Sequence, residues 1–299
     1  MNHLRWKSRV GQGYAPSPLS FTIPHMSHPL NLQDVVTITK EAGQILLEKF
    51  EQDIDIDLKT PDDVVTEADH AAERFLKEKL LTLFPGSGFH GEESGQDLGS
   101  NGYTWVVDPL DGTHNYSEGI PLWGCSVGLL DSEMKPVLGV LDFPTVKKTQ
   151  WAEAGGGAFL DGKPIHVSTD PLIPTSVIGV QSKIRLEKFP GHVEYASRYH
   201  SARSLGSIAY HGYLVSTGRM RGSADLKVKL HDIVAVTVIV QEAGGWVSDL
   251  DGMPIFPLQR EFPYYVDAPV PFFAGDPVTG PDLLKALFPD GTPDGTFGE

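Results

Sequence analysis

Asp108-Pro109-Leu110-Asp111-Gly112-Thr113 sets two carboxylates, a glycine and a hydroxyl side by side in the chain. The apolar run Trp105-Val106-Val107 ahead of it predicts a short buried strand that delivers both carboxylates to its end, one on each side of a Pro-Leu step. Gly112 lets the backbone approach an anion closely, and Thr113 adds a hydroxyl and an N–H at a predicted helix N-terminus. Hard divalent cations such as Mg²⁺ take oxygen ligands, commonly one or two carboxylates with water and phosphate oxygens. Two carboxylates beside a phosphate-sized nest therefore suit metal-assisted phosphate chemistry.

The elements that must hold this segment alternate between helix and strand patterns. Leu32, Val35, Val36, Thr39, Ala42, Leu46 and Phe50 share one helical face behind Asn31 as N-cap. Ala72, Phe75, Leu76, Leu80 and Leu83 form a second amphipathic helix, closed by Pro85-Gly86 and capped by Thr66, with Asp69 in its first turn. Strands are expected at 104–107, 125–130 and 137–141. The Gly155-Gly156-Gly157 run and the Asp161-Gly162 turn then predict a meander ending at Ile165–Val167. The second half predicts a strand at 177–180, a helix at 207–217 and a strand at 223–228. The all-apolar run Ile233–Val240 reads as a buried helix between Asp232 and Gly244-Gly245, and Pro281 opens a short last helix.

A chain of 299 residues, 40% hydrophobic and 21% charged, suits a globular α/β protein of one or two domains. The net charge of −15 argues against nucleic acid or an anionic membrane as partner, and bound cations reconcile it with an anionic substrate. The single Cys125 excludes an internal disulfide and fits a reducing, cytoplasmic setting. Residues 1–29 hold no acid and several prolines, and are expected to be a disordered extension; 288–299 is expected to be a tail. Neither there nor elsewhere is an apolar stretch long enough for a membrane span.

The Asp108–Thr113 segment resembles the signature of the inositol monophosphatase family, Mg²⁺-dependent and lithium-sensitive phosphomonoesterases. Gly91-Glu92-Glu93-Ser94 is similar to that family's upstream acidic motif. His231-Asp232, with Ala235 and Glu242-Ala243-Gly244-Gly245, is similar to its C-terminal motif, and Lys59 with Val64-Val65-Thr66-Glu67-Ala68-Asp69 to its N-terminal one. The resemblance spans about 31–287. It implies a layered αβαβα sandwich over 30–287, with a metal and phosphate half at about 30–167 and a substrate half at about 168–287. It also implies a homodimer.

What the resemblance implies for the site is specific. Glu92, Asp108, Asp111, Asp232 and the Leu110 carbonyl would hold about two or three Mg²⁺ ions. Thr113, backed by Asp69, would orient the attacking water, with Glu92 counted among the catalytic groups. Gly112, Thr113 and His114 would face the phosphate, Asp225 would meet substrate hydroxyls, and Lys59 would approach the metals. Each has a plainer reading: Asp232 and Asp69 as helix-capping acids, Lys59 as a solvated lysine, and His114 and His231 as structural histidines. His231 stands where the family commonly has Trp, and Lys227 and Lys229 near Asp225 suggest a second anionic group. The expected reaction is hydrolysis of a small phosphate monoester, foremost inositol monophosphate. Histidinol phosphate, fructose 1,6-bisphosphate and 3′-phosphoadenosine 5′-phosphate are rivals. A non-catalytic metal-binding or assembly protein would be expected to have lost a ligand or Thr113, and none is lost.

Overall fold

The computed structural model describes residues 29–50, 56–60, 63–180, 201–249, 251–258 and 269–287, with the backbone alone at 56–60, 63–66, 226 and 287. The expected extension through residue 28 and the tail from residue 288 lie outside the described residues.

Two long helices come first, α1 (Leu32–Phe50) and α2 (Glu67–Leu83), separated by the ribbon β1 (Ile56–Thr60) and β2 (Asp63–Thr66). Asn31 caps α1 as expected, its side-chain oxygen accepting from the Gln33 N–H at 3.2 Å. Eight strands then build the large sheet: β3 (Gly88–Gly91), β4 (Gly95–Asp97), β5 (Thr104–Asp111), β6 (Gly124–Leu130), β7 (Pro136–Phe143), β8 (Lys148–Glu153), β9 (Gly157–Leu160) and β10 (Lys163–Pro164). Their order is β10-β9-β8-β7-β6-β5-β3-β4, antiparallel except where β3 runs parallel to β5. The short helix α3 (Thr113–Ser117) follows β5.

The second half supplies β11 (Val177–Val180), β12 (Ser201–Arg203), α4 (Ile208–Ser216), β13 (Gly222–Val228), α5 (Leu230–Glu242), β14 (Trp246–Ser248), β15 (Val270–Gly275) and α6 (Gly280–Leu287). A five-stranded sheet results, in the order β12-β11-β13-β15-β14. Helices α1 and α2 cover one face of the large sheet, α4 and α5 lie between the two sheets, and α6 closes the far side. This is the expected αβαβα layering.

The meander departs from expectation at its end. Its last strand is Lys163–Pro164; the Ile165 N–H still donates to the Ala158 carbonyl of β9, and beyond it the chain leaves the sheet, where the Val167 N–H donates to the Ala243 carbonyl at the end of α5. The free carbonyls of a helix terminus drew it away from continued pairing. The glycine run is the hairpin the pattern predicts, and the Glu242 carboxylate accepts from the N–H groups of Gly155 (2.7 Å) and Gly157 (2.8 Å).

Helix α5 is buried on nearly every side, as its all-round apolar composition requires. It lies flush on the large sheet because Gly128 of β6 and Gly139 of β7, directly paired in register, present no side chains to it. A Cβ on Gly139 would fall 2.6 Å from the Ala235 carbonyl oxygen, and one on Gly128 would fall 2.4 Å from a Val234 methyl. The helix ends with Gly244 in the left-handed region; Gly245 N–H donates to Val240 O and Gly244 N–H to Gln241 O. That pair of bonds satisfies two of the terminal carbonyls.

Gly139→Ala should therefore lower unfolding free energy by about 1–3 kcal/mol, because the obstacle is backbone and cannot rotate aside. Chemical denaturation checks this; an unchanged midpoint would show that α5 is not seated on that glycine.

Candidate active site

The strand β5 carries the first two acids, and a bulge puts them on one side. Asp108 pairs with Ser126 and Asp111 with Gly124, so the Asp108–Asp111 step spans one residue more than its partner. In a regular strand, positions three apart face opposite sides; the extra residue returns Asp111 to the side of Asp108. The bulge is closed locally, with the Leu110 N–H donating to Asp108 Oδ1 at 3.0 Å. The Leu110 side chain is wholly buried in the core beneath.

The chain then turns through Gly112 in the left-handed region (φ 94°), where a Cβ would meet the Leu122 carbonyl oxygen at 2.9 Å. Helix α3 starts here, its first intrahelical bond running from the Tyr116 N–H to the Gly112 carbonyl. Tyr116 fixes this helix: its ring packs with Trp123 (5.0 Å) and Phe50 (5.1 Å), and its hydroxyl donates to the Leu46 carbonyl at 2.8 Å. Asn115 fastens the other side, donating from Nδ2 to the carbonyls of Leu122 and Leu205, each at 2.7 Å.

Thr113 sits above the bulge with its hydroxyl 3.0 Å from the Leu110 carbonyl and 3.5 Å from Asp69 Oδ1. Asp69 is buried in the first turn of α2. One helical turn further along α2, Glu73 is buried as well and accepts from the N–H groups of Glu93 (2.8 Å) and Ser94 (2.6 Å). That clamp shapes the turn between β3 and β4 that bears Glu92. Sequence reasoning missed Glu73, although its i, i+4 relation to Asp69 was a usable signal.

Asp232 comes from the second half. It occupies the third position of α5, and its carboxylate accepts from the Lys229 N–H at 2.6 Å. The N-cap position itself is Lys229, and Asp232 closes the helix start with one oxygen while its carboxylate converges with the acids of β5. Ligand atoms of Asp108, Asp111 and Asp232 all lie within 4.8 Å of one another, and so do those of Glu92, Asp108 and His231.

Asp111 joins the halves. Its carboxylate accepts from the Ser207 hydroxyl at 2.6 Å, the Ile208 N–H at 3.2 Å and the Ala209 N–H, all at the start of α4. Ser207 is itself the N-cap, accepting from the Tyr210 N–H at 3.1 Å. The α4 helix was legible, but nothing local in the sequence tied its cap to Asp111.

The electrostatics match this crowding. Burial first, then the negative charges of Glu92, Asp111, Asp232 and Asp69, push the Asp108 carboxyl well above the ordinary range. Burial and the charge of Asp232 raise Asp111 to about 7, against the lowering effect of Ser207 and the two α4 amides. Burial raises Asp232 despite the counteracting His231. Buried acids so raised are a poor arrangement in isolation and a good one around a divalent cation, whose charge removes their mutual repulsion. The all-oxygen donor set fits a hard cation.

Beside the acids opens a cleft of about 150 Å³ lined by Asp111, Ser204, His211, Asp225, Lys227 and Asp232, among others. Asp225 is buried, and its Oδ2 accepts from the Ser223 hydroxyl at 2.7 Å, with His211 Nδ1 at 3.4 Å. Neither Ser223 nor His211 was picked out from sequence. His114 stands exposed on α3 beside the cradle, and the Lys59 side chain lies outside the described residues.

Residues 31–266 match the inositol monophosphatase family. A histidinol-phosphatase of Chlorobaculum parvum is 32% identical over 225 residues, covering 74% of this chain and 86% of that protein. An inositol-1-monophosphatase of Rhizobium meliloti is 32% identical over 242 residues, covering 76% and 88%. Among solved structures, the extragenic suppressor protein suhB of Bartonella henselae superposes with a TM-score of 0.77 at 27% identity, over 85% of this chain and 97% of that one. An inositol monophosphatase of Thermotoga maritima gives 0.75 at 26%, over 86% and 96%. With its acids, its turn and its layers arranged as described, the chain belongs to the inositol monophosphatase family and is a phosphoric monoester hydrolase.

Proposed function

We propose that this protein hydrolyses inositol monophosphate, with Mg²⁺ held by Glu92, Asp108, Asp111, Asp232 and the Leu110 carbonyl. The observation that carries the reading is the convergence of Asp108, Asp111 and Asp232 within 4.8 Å, the last two lining the cleft. When bound, Mg²⁺ supplies a lowered pKa for the attacking water and neutralises charge on the phosphate oxygens. The chain's own groups orient the reactants. Thr113 has one hydroxyl proton, directed at the Leu110 carbonyl or Asp69, so its oxygen is left to accept from a water. It would orient that water and not deprotonate it. The N–H groups of Gly112 and Thr113, at the start of α3, receive the phosphate, since the first turn of a helix has amides without intrahelical acceptors. His114 lies at the rim of this cradle.

Asp225 and Lys227 line the cleft where the released alcohol would sit. Asp225 accepts hydrogen bonds from polyol hydroxyls in this reading. A second reading, histidinol phosphate, is supported by the same buried carboxylate, which also suits an ammonium group. A homodimer and a cytoplasmic location are carried over from the resemblance and the single cysteine; size-exclusion chromatography with light scattering tests the first. Among the described residues no helix is long and apolar enough to cross a membrane.

Assaying phosphate release from a panel of esters with and without Mg²⁺ tests the reaction. Inositol monophosphate should be turned over best and only with the metal; release from no ester would sink the reading. Within that panel, Asp225→Asn should cost about 1–3 kcal/mol in kcat/KM on inositol monophosphate and much less on para-nitrophenyl phosphate, whose leaving group has no extra hydroxyl. Equal losses on both would make Asp225 a structural or catalytic group.

Asp111→Asn should weaken Mg²⁺ binding at least about tenfold, or 1.4 kcal/mol, by isothermal titration calorimetry. Unaltered affinity would remove Asp111 from the ligand set.

The raised carboxyls set a pH dependence. A group whose folded pKa exceeds its unfolded value contributes stability below the unfolded value and loses it as pH rises through the folded one. For Asp111 that window runs from the ordinary carboxylate range, near 3.8, up to about 7. Metal competes with those protons, so the rise in Tm on adding Mg²⁺ should be larger at pH 8 than at pH 6. An equal rise at both would contradict proton-linked binding at these acids.

A further inference from the structure

His231 is the one nitrogen donor in the two groups of converging side chains, and nothing in the hydrolytic scheme uses it. The residue is 7% exposed, in the first turn of α5. A ring nitrogen lies within 4.8 Å of ligand atoms of both Glu92 and Asp108. Its Nε2 faces Asp232 Oδ1 at 3.5 Å, while its buried Nδ1 has no hydrogen-bond partner among the described residues. A buried polar atom left so is costly unless something absent from the polypeptide satisfies it. A neutral imidazole carries a lone pair on one ring nitrogen, which is the form in which histidine binds metals.

We propose that His231 joins Glu92 and Asp108 in a cation site of mixed nitrogen and oxygen donors, which accepts Mg²⁺ but binds a transition-metal divalent ion more tightly. It adjoins the all-oxygen group of Asp108, Asp111 and Asp232, the two sharing the Asp108 carboxylate. It rests on the metal-dependent reading of this pocket and goes beyond it, because the two groups then differ in the metals they favour. Imidazole suits the later first-row ions, whereas carboxylate and carbonyl oxygens suit Mg²⁺. The protein would hold two chemically unlike ions at one site.

Co²⁺ is the probe, since binding to imidazole shifts the ring protons paramagnetically and is read without any turnover. Proton NMR of the full-length protein with Co²⁺ in the presence of excess Mg²⁺ should show a strongly shifted imidazole N–H. His231→Gln should abolish that signal and weaken the Mg²⁺-resistant Co²⁺ binding at least tenfold. Absence of any shifted imidazole signal from the unmutated protein with Co²⁺ bound would overturn the proposal, and needs no variant to fold. So would loss of the signal in His90→Gln with its retention in His231→Gln, because the His90 ring lies 6.1 Å from that of His231. If His231 fails this test while Mg²⁺-dependent phosphate release persists, only the mixed-donor site falls. If the Co²⁺ signal behaves as expected and no ester is hydrolysed, only the catalytic reading falls.

Discussion

The Asp111 carboxylate is the joint on which the site depends. It ends β5 in the large sheet and receives the hydroxyl of Ser207 and the first amides of α4 from the layer between the sheets. Charge-assisted bonds of this kind are stronger than neutral ones, and a helix N-terminus favours negative charge. The same interaction that locks the halves together also lowers the cost of keeping this carboxylate ionised against Asp232. Architecture and electrostatics are therefore not separable here. A site built from both halves keeps its dimensions only while that joint holds.

Around the joint, main-chain donors orient several of the acidic groups. Glu73 shapes the Glu92 turn through two amides, Asp108 receives the Leu110 amide, and Asp232 receives the Lys229 amide. Main-chain donors fix direction without adding a full positive charge that would compete with a bound cation. The net charge of −15 is thus compatible with an anionic substrate if cations occupy the acids between them.

Much of this was legible in the sequence because its signals are local. The helix at 230–242 follows from an apolar run bounded by an acid and two glycines, and β5 from three apolar residues before the acids. The Asp108–Thr113 spacing encodes the bulge and the turn within one short segment. What escaped reading depends on partners far apart in the chain. Asp111 meets Ser207 across 96 positions, and Asn115 meets Leu205 across 90, with no composition cue at either end. Ser223 and His211 show the same limit: an ordinary serine in a strand and an ordinary histidine in a helix acquire a role only when α4 packs beside β13. The meander expected to end at 165–167 pairs only as far as Ile165 for a related reason, since the end of α5 offered Val167 a carbonyl that no local pattern announces.

The buried trio behind the cleft has a consequence for how substrate preference can change. Leu205 N–H donates to His211 Nε2 at 3.3 Å, which leaves the proton on Nδ1, facing Ser223 Oγ at 2.9 Å; the Ser223 hydroxyl in turn donates to Asp225. The direction of the Asp225 carboxylate is thereby tied to the loop that precedes α4. A new leaving group is poorly accommodated by removing the Asp225 carboxylate alone, because that leaves the buried Ser223 and His211 without their acceptor. Divergence at this wall should proceed by concerted replacement of several residues, leaving the phosphate side of the pocket undisturbed.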